Sequence, residues 1–324
     1  MGAHLGKRST GNSSTGYTSR STTIPNPLFL GSTSGYSSGG GNPSGTNTID
    51  KFPFSSDANA TDVGDLTTIK QYLSGQSSNA NGYVSGGFTG PTTRVNVIEK
   101  FPFASDGNGS DVGDLLSVSN SSAGQSSIES GSGYVSGGYG PSSIRDVIQK
   151  FPFASDGNAT DVGDLTQARM RSAGQSSNAN GYTSAGYIAT GSHVIDTIDK
   201  FPFSSDANAT DVGNTTISKY WVTGNSSRVS GYVSGGNPPF TVNVIEKFPF
   251  AVEDNATDVG DLTTTGRQQA AGQSSQQNGY VSGGAPPSID GTDVIDKFPF
   301  STDANATDVG DLTQSRIDLA GQQI

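Results

Sequence analysis

Residues 51–65 read KFPFSSDANATDVGD, and close copies of this block begin at Lys100, Lys150, Lys200, Lys247 and Lys297. The spacings between the six copies are 49, 50, 50, 47 and 50 residues. A second block, GQSSNANGYVSGG from Gly75, recurs between them from Gly124, Gly174, Gly224 and Gly272. Self-similarity at one fixed period is the signature of a repeat protein, so the chain is a single repeat array.

Each unit contains four segments typical of short strands. They include the GQSS step, the GYVSGG segment, the VIEKFPF segment and the DVGDL segment. In the third segment, Val97, Ile98 and Phe101 suit a half-buried strand, whereas Pro102 has no backbone donor and limits further pairing. The sequence therefore predicts a third strand that lies towards the outside of a sheet or ends at its proline.

The acidic segment between the third and fourth strands is interpreted as a turn. Asp57, Asn59 and Asp62 are short polar residues that bond to nearby backbone groups in turns. Carboxylates in such a row also suit Ca²⁺, but the spacing and the late Glu of an EF-hand loop are missing. We expect self-capped turns, and we predict no metal site and no cofactor.

A four-stranded unit of about 50 residues predicts an all-β, kelch-like β-propeller of six four-stranded blades, because a radial array protects the sheet edges. The segment Tyr83–Gly87 resembles the kelch pattern of an aromatic residue, apolar residues and Gly-Gly. The usual blade tryptophan is missing, since Trp221 is the only tryptophan. The predicted domains are an extended N-terminal arm, residues 1–30, and a propeller, residues 31–324.

Two ways of closing the ring are open. The C-terminal residues Ala320–Ile324 stop where a first strand begins, and residues 35–40 read as a second strand, so these two segments complete one blade. Alternatively, residues 28–31 supply a local first strand, and a decayed repeat copy is present at residues 11–19. We favour closure by the C-terminus.

Composition excludes several classes of function. The formal net charge is −11, which argues against nucleic acid as a partner because phosphate binding needs clustered Lys and Arg. The chain has no Cys and no apolar run near the roughly 20 residues that a membrane span requires, so we expect no membrane insertion. The 45 Gly and 15 Pro fit short strands joined by many turns.

Catalysis is not expected. A hydrolytic site needs one acid and one base in different environments, but the Asp residues recur almost identically in every unit. The two histidines, His4 and His193, lie on the arm and in a loop, without a nucleophile motif around them. We predict that the protein is not an enzyme.

Binding is expected where the units differ. The divergent segments are the linkers that follow Gly-Gly, together with the segment Lys219–Trp221. Aromatic and Arg side chains dominate contact energies in interfaces. The candidates for ligand or receptor binding are Arg94, Tyr139, Arg145, Tyr187, His193, Tyr220, Trp221 and Phe240. The alternative is that these are ordinary loops with scattered aromatic residues.

The N-terminal arm is predicted to attach the propeller to an assembly. Residues 1–49 carry a charge of +3 and no acidic residue, and residues 24–30 read IPNPLFL, which suits docking as an extended peptide. The candidate assembly residues are Lys7, Arg8, Arg20, Ile24, Leu28, Phe29 and Leu30.

Over residues 31–324, the repeated phrase of KFPF, DNATDVGDLT, AGQSS and GYVSGG resembles repeats of structural proteins of marine bacteriophages, especially cyanophages. The resemblance implies a virion protein, displayed in many copies as a tail adaptor or fibre component or as a head decoration, with other virion proteins as partners. An alternative is a module that binds host-surface glycans or a receptor. A third is a propeller-type glycosidase or lyase.

Overall fold

The computed structural model describes residues 1–2, 30–41, 44–90, 92–191, 193–238, 240–287 and 291–324. These residues form strands, turns and loops, and no helix occurs within the described ranges. The strands are β1 Ser34–Ser38, β2 Thr48–Pro53, β3 Thr61–Asp65, β4 Ser74–Ser77, β5 Asn81–Ser85, β6 Phe88–Thr89, β7 Thr93–Arg94, β8 Val97–Pro102, β9 Ser110–Asp114, β10 Ala123–Ser127, β11 Ser132–Ser136, β12 Val147–Pro152, β13 Thr160–Asp164, β14 Ala173–Ser176, β15 Asn180–Tyr187, β16 Val194–Pro202, β17 Thr210–Asn214, β18 Thr223–Ser226, β19 Ser230–Ser234, β20 Val244–Pro249, β21 Thr257–Asp261, β22 Ala271–Ser274, β23 Asn278–Ser282, β24 Thr292–Pro299, β25 Thr307–Arg316 and β26 Ala320–Gln323.

The strands form six four-stranded antiparallel sheets arranged as the blades of a β-propeller, which confirms the predicted propeller of six blades. We number the blades in chain order, from the inner strand outwards. They are blade 1 (β26-β1-β2-β3), blade 2 (β4-β5-β8-β9), blade 3 (β10-β11-β12-β13), blade 4 (β14-β15-β16-β17), blade 5 (β18-β19-β20-β21) and blade 6 (β22-β23-β24-β25). The strands β6 and β7 form a separate small hairpin.

The ring closes through the C-terminus, as favoured from the sequence. Strand β26 pairs antiparallel with β1, and Tyr36 lies opposite Gln322. Residues 30–31 do not form a first strand; instead Gly31 makes an isolated bridge to Ser275 of blade 6. The C-terminal strand β26 thus serves as the inner strand of blade 1 and pairs with the N-terminal strand β1, which covers the edge of β1.

The third strand of each blade ends at its proline, as predicted. In β8, Ile98 and Glu99 are both buried although they are adjacent, because successive side chains point to opposite faces of the sheet and both faces are covered. Ile98 packs against residues of blade 3. The Glu99 carboxylate, on the other face, bonds to Thr67 and Lys70 in the segment between blades 1 and 2.

Neighbouring blades pack through repeated aromatic pairs. The Tyr of the second strand in one blade contacts the second Phe of the KFPF motif in the next blade. Ring centroids are 4.8–4.9 Å apart in all six pairs. The pairs are Tyr36–Phe103, Tyr83–Phe153, Tyr134–Phe203, Tyr182–Phe250, Tyr232–Phe300 and Tyr280–Phe54.

Six glycines bring the inner strands together at the axis. A Cβ atom on Gly174 would lie 2.2 Å from the carbonyl oxygen of Gly124, which is backbone and cannot swing away. The other five glycines meet the preceding blade in the same way, at 2.1–2.3 Å. We call this set the inner glycine ring: Gly75, Gly124, Gly174, Gly224, Gly272 and Gly321.

The acidic turns act differently from the sequence-based interpretation. Only Asp62 bonds locally, since its Oδ1 accepts from the backbone N–H of Gly64 at 3.1 Å. Asn59 accepts from the backbone N–H of Asp311 in blade 6, and Asp57 pairs with Lys297 of that blade. The prediction of self-capped turns was wrong for Asp57 and Asn59, because each turn lies against the neighbouring blade and its side chains tie the two together.

The propeller has two distinct faces. The turns that join the first to the second strand and the third to the fourth strand lie on one side, which we call the turn face. The linkers after Gly-Gly and the segments that connect each fourth strand to the next blade lie on the other side, which we call the linker face. The described residues contain no helix long and apolar enough to span a membrane.

Candidate recognition surface on the linker face

The connecting segments place one residue each around the propeller axis. The backbone N–H of each donates to the carbonyl of its counterpart in the preceding segment at 2.8–3.1 Å, so the hydrogen bonds form a closed circle. We call these residues the axial ring: Tyr72, Ser121, Arg171, Trp221, Gln269 and Asp318.

The six residues of the axial ring share one backbone conformation and have six different side chains. All have φ between 56° and 60°, a region that non-glycine residues rarely adopt. Local strain of this kind tends to persist at functional sites. Since the same backbone accepts all six side chains, backbone geometry does not select them.

Asp318 is the most buried member of the axial ring, at 7% exposure. Its Oδ1 accepts from Gln269 Nε2 at 2.8 Å, and its Oδ2 has no hydrogen-bond partner among the described residues. Burial raises the pKa of Asp318 to about 7, against the lowering effects of the hydrogen bond from Gln269 and of the charge on Arg171. This carboxyl group therefore changes charge near neutral pH.

Tyr72 responds to the same surroundings. Burial raises the pKa of its hydroxyl to about 12, and the charge on Asp318 adds to the increase. The phenol of Tyr72 thus stays protonated at neutral pH.

Arg171 is the centre of an aromatic cluster. Its guanidinium carbon lies 4.3 Å from the Trp221 ring centroid and 5.7 Å from the centroids of Tyr187 and Tyr220. Tyr220 contacts Trp221 at 4.9 Å, and His193 stacks on Tyr187 at 5.7 Å. These five residues, which we call the Arg171 cluster, combine a cation with flat apolar surfaces.

The predicted binding residues fall into separate groups. Tyr187, His193, Tyr220 and Trp221 come together in the Arg171 cluster. Arg94 and Tyr139 form a second contact, with the guanidinium carbon 4.5 Å from the ring centroid, and Arg94 Nε donates to Asn120 Oδ1 at 2.9 Å.

Two further candidates stand outside these groups. Arg145 Nη1 donates to the Ser117 hydroxyl, and Phe240, in the linker of blade 5, is 81% exposed. Of the arm candidates, Leu30 is described and buried. The others, Lys7, Arg8, Arg20, Ile24, Leu28 and Phe29, lie outside the described residues.

Five residues of the axial ring were not predicted from the sequence: Tyr72, Ser121, Arg171, Gln269 and Asp318. Each lies three positions before a glycine of the inner glycine ring, as does Trp221. Aligning the units on that glycine would have shown that the position three residues before it differs from unit to unit. Density of aromatic residues alone led only to Trp221 and its neighbour.

A buried cation lies two positions before the axial ring in five of the six segments. Each pairs with a buried carboxylate on the third strand of a blade. These pairs are Lys70–Glu99, Arg169–Asp199, Lys219–Glu246, Arg267–Asp296 and Arg316–Asp50. Burial lowers the pKa of Lys219, whereas the charge of Glu246 opposes that shift.

The remaining segment replaces both charges at once. Ser119 stands at the cation position and Gln149 at the carboxylate position, and Gln149 Oε1 accepts from the backbone N–H of Leu116 at 2.8 Å. An unpaired buried charge costs several kcal/mol, so loss of one partner is tolerated only with loss of the other. These five ion pairs and the neutral Ser119 and Gln149 positions lie beneath the linker face and stabilise it.

The channel on the axis is narrow and polar. Gly, Gln and Ser of the inner strands surround a cavity of about 60 Å³, and a pocket of about 70 Å³ opens among the axial-ring residues. Across the described part of the chain, no group of three His, Cys, Asp or Glu is placed to hold a metal ion. Searches with protein-family models and among curated proteins find no match to the sequence.

Proposed function

We propose that this chain is a non-enzymatic virion structural protein, whose propeller is held through its N-terminal segment on the turn face and presents the linker face outwards. The observation that carries the proposal is the separation of the two faces. The N-terminal segment joins the body at the turn face, whereas the linkers after Gly-Gly and the axial ring, where the units differ most, lie on the opposite face.

The N-terminal segment is held to the propeller body by side-chain burial and backbone hydrogen bonds. Leu30 is 4% exposed, and Gly31 N–H donates to the Ser274 carbonyl of blade 6 at 2.8 Å. The N–H of Thr33 donates to the carbonyl of Ile324 at 2.6 Å. A segment held in this way transmits the orientation of its attachment point to the whole propeller.

Virion membership is supported by the resemblance of the repeated phrase to phage structural proteins. The architecture suits that role, because buried ion pairs, aromatic pairs and cross-blade turns are repeated around the ring.

Immunogold electron microscopy of particles with an antibody against this chain tests membership. Label at a defined head or tail position is expected, and unlabelled particles that lack the chain by mass spectrometry would reject the virion role. Deleting residues 2–29 spares Leu30 and tests anchorage: we expect a folded propeller that no longer joins the particle. The matched control, Trp221→Ala, should be incorporated normally.

A second candidate function is recognition of a host-surface glycan or receptor by the linker face. The Arg171 cluster favours it, because stacked aromatic rings beside a guanidinium suit the apolar faces and hydroxyl groups of sugars. Binding on a glycan array should disappear with Trp221→Ala and persist with Phe240→Ala, an exposed aromatic residue outside the cluster. Loss with both variants or with neither would count against the cluster, and turnover of a polysaccharide would point instead to an enzyme.

A further inference from the structure

The grooves between neighbouring blades on the turn face are formed by repeated elements. Each has the turn after the GQSS strand of one blade on one side and the second Phe of the KFPF motif of the next blade at its base. Between blades 5 and 6, the groove has a volume of about 530 Å³ and is lined by Ser227, Val229, Gln277 and Phe300 among others. Between blades 3 and 4, a groove of about 420 Å³ includes Phe203.

One groove of this kind already holds a peptide segment of the chain itself. Between blades 6 and 1, Gly31 forms a parallel bridge with Ser275. Its N–H donates to the Ser274 carbonyl at 2.8 Å, and its own carbonyl accepts from the Gln276 N–H at 3.1 Å. Leu30 beside it is buried.

The occupied groove shows why glycine follows leucine there. A Cβ atom on Gly31 would lie 2.5 Å from Cε2 of Phe54, so the glycine backbone rests directly on the aromatic ring at the base. Phe54 corresponds to Phe300 and Phe203 in the repeat, and Ser275 corresponds to Ser227. Of its described counterparts, Ser78, Ser177 and Ser227 take part in no bridge, whereas Ser127 belongs to β10 and pairs with Ser132 of β11.

We infer that the other turn-face grooves bind an extended segment of an assembly partner in which leucine, or a similar branched apolar residue, is followed by glycine. The partner strand adds to the end of an inner strand, as Leu30–Gly31 does, so backbone bonds give affinity and burial of the leucine side chain gives selectivity. Val229, 68% exposed at the groove between blades 5 and 6, supplies apolar surface for it. The inference deepens the proposed attachment through the turn face and rests on it.

A synthetic peptide with the sequence of residues 27–33, PLFLGST, is the probe. Carrying a photoreactive leucine at the position of Leu30, it should bind the full-length chain saturably and crosslink beside Phe300 and Phe203. A peptide with Leu30→Asp should bind at least about ten-fold more weakly, because the aspartate loses the burial of the leucine. Gly31→Ala in the peptide should weaken binding through the clash with the ring.

The protein variant Val229→Glu provides the internal control, since it changes only the groove between blades 5 and 6. It should lose the crosslink at Phe300 and keep the one at Phe203. Absence of saturable binding, crosslinks on the linker face, or crosslinks confined to Phe54, where the peptide would merely displace Leu30–Gly31, would each overturn the inference. Any of these results leaves anchorage through residues 2–29 intact, because that is read from particle incorporation.

Discussion

The inner glycine ring, on the first strands, and the axial ring, three residues earlier in the chain, differ in one respect: the first is invariant and the second has a different residue in every unit. A Cβ atom on any of the six glycines would lie 2.1–2.3 Å from a backbone atom of the preceding blade, so only glycine fits there. The axial-ring residues share one backbone conformation but carry six different side chains, so packing does not require a single residue type at that position. The contrast separates residues that build the ring from residues available for recognition.

The sharpest way to break this comparison is to add one methyl group to the inner glycine ring. Gly174→Ala should reduce the free energy of unfolding by about 4 kcal/mol or more, because the obstructing atom is a backbone carbonyl and a whole blade must move. Ser121→Ala in the axial ring should cost no more than about 1 kcal/mol. Denaturant unfolding of both variants makes the test, and similar costs would refute the distinction.

The buried ion pairs should also contribute strongly to stability. Arg169→Met leaves the Asp199 carboxylate buried without its cation and should cost about 3 kcal/mol. The double variant Arg169→Ser with Asp199→Gln copies the neutral arrangement of Ser119 and Gln149 and should recover most of that loss. A double variant less stable than Arg169→Met would show that charge compensation does not determine which residues are tolerated at the buried ion-pair positions.

Asp318 gives the axial ring a pH dependence. Its folded-state pKa of about 7 lies above the unfolded value of about 3.9, so its contribution to stability is complete below pH 4 and disappears as the pH rises through 7. Asp318→Asn should remove this fall and leave the variant about 4 kcal/mol more stable relative to wild type at pH 8 than at pH 4. Thermal unfolding across this range measures the difference, and parallel curves for the two proteins would be inconsistent with a buried titrating carboxyl.

Trp221→Ala should have the smallest effect on the fold and the largest on recognition. The interaction of Arg171 with the indole contributes about 1 kcal/mol at a partly exposed site, so unfolding should change by about that amount. Glycan or receptor binding, by contrast, should be abolished. A variant that loses several kcal/mol of stability would place Trp221 with the structural residues instead.

The repeat period and the strand patterns were sufficient to predict the six blades and the C-terminal closure. Both follow from the order of the four strand segments along one repeat unit. Contacts that cross between units were harder to infer. Asn59 and Asp57 looked like self-capping turn residues since their partners, Asp311 and Lys297, are far away in the sequence. Arg171 was missed because its significance depends on its position beside Trp221 around the axis, and not on its neighbours in the chain.

The orientation of the propeller in its assembly is the central claim, and the lack of cysteine makes it directly measurable. Phe240→Cys on the linker face and Val229→Cys on the turn face each introduce a single thiol at a position that is 81% or 68% exposed. Both variants should react with a maleimide at similar rates as free protein. In assembled particles, we predict that the thiol at position 240 remains reactive and the thiol at 229 becomes protected; protection at 240 with free reaction at 229 would contradict the account.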